Sequence, residues 1–369
     1  MDRPVQREIP APGDADRTAP RPHAVEVLLV EADPAARQFL ASLLGSDPQI
    51  RVVGAVGDGK AALAFLEHSR PDVIVLTNQL PGMDGFETAR RITDSDPIPI
   101  VLCAQAGSAH DTVFRSLEAG AVACIEKPDP GAALSQLRAA IRHLLQAVKQ
   151  TAQARVVRRG GGCGRARPHA PPGGPARIVG IGASTGGPPV LQALLSDLPE
   201  GFPMPVLVVQ HIARGFLSGM AEWLRQTSGL RVHIGAHGMQ PVPGHVYLAP
   251  DDFQMRVDCH GRIVLSQDGM GDGLRPSIGC LFHSLADVCG SHAVGVLLTG
   301  MGEDGAAGLK RMRDRGAVTI AQDDATSVGH GMAGAAIALG GAAHVLPSDE
   351  IAGMLVALAG RRVPETVRG

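Results

Sequence analysis

Short runs of β-branched and aliphatic residues alternate along most of this chain with segments whose apolar positions recur every three or four residues. From Val25 to Val148 the runs VEVLLV, RVVGAV, DVIVL, PIVLC and AVACI are interleaved with PAARQFLASLL and GKAALAFLEH and followed by ALSQLRAAIRHLLQAV. Strands alternating with helices at this spacing predict a parallel sheet with helices on both faces. The pattern resumes at ARIVGIGAS and continues to about Gly360 through PPVLQALLSDL, VLVVQH, GFLSGMAEWLRQ, IGCLFHSLADVCG, AVGVLLTG, AAGLKRMRDRG and AVTIAQ. A hairpin-like stretch is expected around HVYLAP and RIVLSQ. The fold class is therefore α/β, with two doubly wound parallel-sheet domains at residues 25–148 and 177–360.

The segments outside this pattern are polar. Residues 1–24 are Pro-rich with no apolar stretch, which predicts a disordered leader and no secretory signal. Residues 149–176, together with Arg177, hold Lys149, Arg155, Arg158, Arg159, Arg165 and Arg167 and no acidic residue, in a Gly/Pro-rich setting that predicts a flexible linker. Residues 361–369 read as a tail. The segment from Gly329 to Pro347 lacks Asp, Glu, Lys and Arg, but its Gly and Ala content and two histidines favour a buried helix over a membrane span.

Composition narrows the function classes. With 369 residues, 34 Lys+Arg and 36 Asp+Glu, the formal charge of −2 gives no basic excess for a polyphosphate surface, and aromatics at 3% give few rings for stacking on bases. Nucleic acid is not expected as a partner, nor is membrane insertion. The six cysteines form no C-x-x-C pair and most lie in apolar runs, which points to reduced thiols and a cytoplasmic protein.

In open parallel sheets functional groups gather on the loops leaving the carboxyl ends of strands. Three such loops in the second domain carry Ser184 in Gly182-Ala183-Ser184-Thr185-Gly186, His211 after VLVVQ, and Glu303-Asp304 after VGVLLT. Ser184 fits a sharp strand-to-helix turn that presents a nucleophile; a serine needs a base such as His211, and Asp304 would orient that imidazole. The order Ser, His, Asp differs from that of α/β-hydrolases. Each residue also has a plainer reading: a tight glycine turn, a surface histidine, or acidic helix caps for AAGLKRMRDRG. A dinucleotide site at Gly180-Ile181-Gly182 is disfavoured because Gln210-His211 stands where an acidic ribose ligand is wanted. A zinc hydrolase is weaker still, since no H-E-x-x-H occurs and His233, His237 and His245 fall near what read as hairpin turns. Neither a metal nor an organic cofactor is expected.

Taken together, I-G-A-S-T-G-G at 181–187, V-V-Q-H at 208–211, Y-L-A-P at 247–250, R-P-S at 275–277, L-F-H-S at 281–284, L-T-G-M-G-E-D-G-A at 298–306 and A-Q-D at 321–323 resemble the chemotaxis protein-glutamate methylesterases. That family joins an N-terminal receiver domain, of flavodoxin-like fold, through a linker to a Rossmann-like serine esterase. The resemblance implies hydrolysis of glutamyl methyl esters on chemoreceptors, with deamidation of receptor glutamines in many members. It implies a triad of Ser184, His211 and Asp304, with Thr185 and the backbone N–H of Met301 near the oxyanion. Expected partners are methylated chemoreceptor cytoplasmic domains and a chemotaxis histidine kinase; a receptor-binding scaffold without activity is the alternative. The chain departs from the family at Ile212-Ala213, Gly279, Asp251-Asp252-Phe253-Gln254 and Met332-Ala333-Gly334, none of which removes a triad atom. In the first domain Thr77 stands at the family's phosphoacceptor aspartate, Glu31-Ala32 replaces the acidic pair, and Cys103 and Cys124 replace the switch hydroxyl and aromatic. Lys127-Pro128 persists. The expectation is a receiver fold without a phosphoacceptor.

Overall fold

The structure is a computed structural model that describes residues 24–95, 97–104, 119–152, 177–212, 214–267 and 274–360. The expected leader up to residue 23, the linker from 153 to 176 with Cys163, the tail, and Ala213 lie outside the described residues.

The first domain contains β1 (Val25–Val30), α1 (Pro34–Gly45), β2 (Ile50–Val56), α2 (Gly59–Leu66), β3 (Val73–Thr77), α3 (Gly85–Ser95), β4 (Ile100–Ala104), β5 (Ala123–Glu126) and α4 (Leu134–Ala152). The strands pair in parallel in the order β2-β1-β3-β4-β5. The central strands β3 and β4 are buried along their whole length, which is why they read as unbroken apolar runs. Asp33 and Asp58 start α1 and α2 by accepting the N–H groups of Ala36 and Ala61. At the far end α4 runs four residues into the segment expected to be linker. Val148 and Thr151 are buried there and Lys149 Nζ lies 2.8 Å from Asp47 Oδ2, so these residues belong to the helix.

The second domain contains β6 (Ile178–Ala183), α5 (Gly187–Ser196), β7 (Val206–Gln210), α6 (Leu217–Ser228), β8 (Arg231–Ile234), β9 (His245–Leu248), β10 (Gln254–Val257), β11 (Ile263–Ser266), α7 (Ile278–Val288), β12 (Ala293–Leu297), α8 (Ala306–Asp314), β13 (Val318–Gln322), α9 (Gly331–Ala338), β14 (His344–Leu346) and α10 (Ser348–Ala359). Seven strands form a parallel sheet in the order β14-β13-β12-β6-β7-β9-β8. Helices α5, α6 and α10 cover one face through Leu191, Leu195, Met220, Leu224 and Leu355. Helices α7, α8 and α9 and the β10–β11 hairpin cover the other.

Two expectations change here. HVYL is not part of a hairpin: it is β9, held in parallel between β7 and β8 with Val246, Tyr247 and Leu248 buried, and the antiparallel hairpin joins β10 to β11. The segment from Gly329 to Pro347 is not one helix. Gly340, at φ +65°, ends α9 and the chain continues into edge strand β14. Among the described residues no helix is long and apolar enough to cross a membrane.

The glycines once considered for a dinucleotide have a packing role. A Cβ on Gly180 would lie 2.4 Å from Leu285 Cδ1, and one on Gly182 would lie 2.3 Å from Ile278 Cγ2. Bare backbone on β6 thus lets α7 settle against the sheet. That closeness carries the start of α7 into the functional site.

Candidate active site

The strand order places the ends of β7, β6 and β12 side by side, and the chain reverses direction across the sheet between β6 and β12. Ser184 leaves β6 in a turn where its N–H donates to the Thr299 carbonyl at 3.0 Å and its own carbonyl accepts from Gly187 at 2.8 Å. Gly186, at φ +75°, turns the chain into α5. His211 leaves β7 with its N–H donating to the Ala183 carbonyl at 3.0 Å, so main-chain bonding fixes the histidine beside the serine turn. Gly300, after β12, approaches so closely that a Cβ there would lie 2.7 Å from Ser184 Cβ.

Asp304 completes the cluster. Its Oδ2 accepts from His211 Nε2 at 3.0 Å and from the Ile278 N–H at 2.7 Å; its Oδ1 accepts from the Gly279 N–H and Ser277 Oγ, both at 2.9 Å. The last three donors form the N-terminus of α7, where unpaired amides and the helix dipole favour an anion. Burial by itself raises the Asp304 pKa, but the His211 hydrogen bond and the Gly279 and Ile278 amides outweigh it and hold the carboxyl below its ordinary 3.8. An ionised carboxylate only accepts, so Nε2 of His211 carries the proton and Nδ1 keeps the lone pair for base work. Glu303 has no such place: it is exposed, and its carbonyl accepts from Ala306 at 3.0 Å. Neither acid caps α8, whose cap is Gly305.

Among the described residues the Ser184 hydroxyl makes no hydrogen bond, and the N–H groups of Thr185 and Met301, both outside helix and strand, donate to no protein acceptor. Donors left unspent beside a nucleophile can receive an oxyanion. The 298–302 loop is secured by Thr299, whose Oγ1 donates to the Thr185 and Gly329 carbonyls at 3.0 and 3.2 Å and whose N–H donates to Gln322 Oε1 at 2.8 Å. Sequence reasoning assigned no role to Thr299, Gln322, Ser277 or Gln254. Gln254, fully buried, accepts from the Ser277 N–H at 2.8 Å and so fixes the segment that meets Asp304. The departures from the family pattern sit around this core: Asp251 accepts from the Gly215 N–H at 3.0 Å, Asp252 pairs with Arg214, and Met332 is buried against Gly300. His233 and His245 lie on paired strands, their rings stacked at 5.0 Å, and His237 bonds Leu265. Among the described residues no group of three or more His, Cys, Asp and Glu is placed to hold a metal ion.

A pocket opens where β1 and β3 end, lined by Glu31, Ala32, Asp33, Thr77, Asn78, Gln79 and Lys127. Receiver domains hold a divalent cation at this place, and such a cation needs several hard oxygen ligands. The residues here do not fit one. Thr77, buried, donates its hydroxyl to the Val30 carbonyl at 3.2 Å, Asp33 caps α1, and Glu31 accepts from Lys127 Nζ at 2.8 Å. Cys103 is fully buried, and burial pushes its thiol well above the ordinary range.

The Asp304 geometry sets two expected outcomes. Asp304→Asn misplaces the proton on His211 and slows ester hydrolysis by about 10²- to 10⁴-fold, whereas Glu303→Gln changes it by less than about threefold; the reverse ranking in steady-state assays reassigns the orienting role. A depressed carboxyl pKa contributes stability that is complete above 3.8 and lost as pH falls through the lower folded value. Urea unfolding at neutral pH therefore shows Asp304→Asn less stable than the parent by about 1–3 kcal/mol, and the gap narrows in acid below that value.

Residues 179–355 match the CheB methylesterase family model and residues 27–142 the response regulator receiver domain model. A curated relative from Syntrophus aciditrophicus, a protein-glutamate methylesterase/protein-glutamine glutaminase, is 44% identical over 92% of this chain and 100% of its own length. One of the same description from Nitrosospira multiformis is 44% identical over 92% of this chain and 98% of its own length. The solved CheB methylesterase catalytic domain of Thermotoga maritima is similar to 50% of this chain over 98% of its own, at 36% identity and a TM-score of 0.48. With both family models matched and relatives aligned along nearly their full length, the chain belongs to the CheB methylesterases that carry an N-terminal receiver domain.

Proposed function

We propose that this protein is a cytoplasmic serine hydrolase that removes methyl groups from glutamyl methyl esters of chemoreceptors, using Ser184, His211 and Asp304. The observation that carries the reading is the bond between His211 and a carboxylate already saturated by three further donors, one strand away from an unencumbered serine hydroxyl. His211 Nδ1 takes the Ser184 proton as Oγ attacks the γ-carbonyl of the ester. The negative charge that develops on the carbonyl oxygen is received by the N–H groups of Thr185 and Met301. Collapse of the tetrahedral adduct breaks the bond to methoxide, which leaves as methanol with the proton from His211. Water activated by the same imidazole then cleaves the glutamyl ester of Ser184, returning a receptor carboxylate and the free serine. With a receptor glutamine the leaving group is ammonia, in keeping with the glutaminase activity in the names of the relatives. The inactive-scaffold reading gains nothing from the geometry, because the described departures leave the His211–Asp304 bond and the donors that support it in place.

The first domain serves this site as a receiver fold that does not take a phosphoryl group. Thr77 cannot form an acyl phosphate, Ala32 brings no oxygen ligand, and the Lys127 ammonium is already paired with Glu31. A histidine kinase and receptors act on it by binding alone.

Methanol release from methylated receptor tests the first reading: Ser184→Ala lowers the rate by about 10⁴-fold or more with an unchanged thermal midpoint, and near-parental release from the pure variant would refute the nucleophile. For the receiver, incubation with Mg²⁺ and acetyl phosphate leaves residues 25–148 unlabelled and methanol release unaltered. An acid-stable, base-labile phosphoryl group there, with faster turnover, overturns that assignment.

A further inference from the structure

The residue before the catalytic histidine has a role that its position in β7 does not disclose. Gln210 is 4% exposed, and its register partner across the β6–β7 pairing is Ala183, the residue before Ser184. Its Nε2 donates to the Ser184 carbonyl at 2.8 Å and to the His211 carbonyl at 2.9 Å. Both amide hydrogens are therefore spent on the main chains of the nucleophile and its base. The two acceptors also fix the amide orientation, since the reversed group would set an oxygen against two carbonyl oxygens.

The other end of the amide has no hydrogen-bond function. Oε1 is buried without a partner, and it lies 2.3 Å from where a Cβ on Gly187 would stand, so only glycine at 187 leaves it room. An unpaired buried acceptor is unfavourable, and one kept in a native structure calls for a reason. The Gly187 N–H donates to the same Ser184 carbonyl, at 2.8 Å. Two donors thus converge on the carbonyl of the nucleophile, one from the start of α5 and one from the neighbouring strand. The second glycine of the S-T-G-G turn and the glutamine of V-V-Q-H are two halves of one arrangement.

We propose that Gln210 is a positioning residue of the esterase, a clamp that fixes the serine turn and the histidine loop at one separation so that Nδ1 meets Oγ. The proposal rests on the assignment of Ser184 and His211 as nucleophile and base. It is a role in alignment rather than in binding, so its loss falls on kcat.

The test uses the full-length chain, with parent, Ser184→Ala, Gln210→Met and Gln210→Glu assayed together for methanol release from methylated receptor and for thermal unfolding. Gln210→Met keeps the volume and removes both donors; kcat falls by about tenfold or more while KM stays within about twofold. Gln210→Glu is isosteric, and a buried carboxyl facing two carbonyls takes up a proton readily, which restores one of the two bonds. Its rate relative to the parent therefore rises as pH is lowered from about 8 to about 6, while the Met-to-parent ratio stays flat. A parental kcat in Gln210→Met, a flat Glu-to-parent ratio, or losses that merely track the folded fraction overturn the clamp. If the parent shows no turnover that depends on Ser184, the esterase reading fails and the clamp fails with it; Ser184-dependent turnover indifferent to residue 210 removes the clamp alone.

Discussion

The second domain is organised around one buried carboxylate. Asp304 is stable as an anion only because four donors converge on it, and three of them exist only if α7 begins where it does. That start is imposed by the sheet: side chains at Gly180 and Gly182 would hold Leu285 and Ile278 away, and α7 could not present Ser277, Ile278 and Gly279 to Asp304. The ionisation of the acid then dictates the histidine tautomer, and the tautomer dictates which ring nitrogen is left for the serine. A packing constraint on β6 is in this way converted into a protonation state at His211.

The parts of this arrangement that follow from local periodicity were legible in the chain itself. Ser184, His211 and Asp304 each stand at the end of an apolar run, and a parallel sheet brings such ends to one edge, so their meeting follows from topology once the strands are recognised. Asp304 and Glu303 are not separable that way. Adjacent residues share a loop, and only the distance to α7 distinguishes them. Gln210, Gln254 and Thr299 were illegible for a related reason: each acts by bonding main-chain atoms of segments distant in sequence, and no spacing rule encodes that. HVYL misled because an interior parallel strand of four residues has no alternation to set it apart from a hairpin arm.

The first domain keeps the receiver architecture around a pocket of altered composition. The sheet order is that of a receiver, and in the pocket where β1 and β3 end Glu31, Asp33, Thr77 and Lys127 are each bonded within the protein. Lys127 bonds Glu31, Glu31 also accepts from the Asp33 N–H, and Thr77 bonds Val30. The Lys127 ammonium is thus held against Glu31 at one side of the pocket.

The contacts that make the esterase site are long in sequence: His211 meets Asp304 across 93 residues, and Thr299 meets the Thr185 carbonyl across 114. A chain emerging from the ribosome carries its serine and histidine well before β12 and the loop that follows it. Until that strand docks beside β6, the imidazole has no partner to fix its proton and the serine turn has no Thr299 to hold it. The bonds that join these loops therefore form only once β12 lies beside β6, late in the order of the chain.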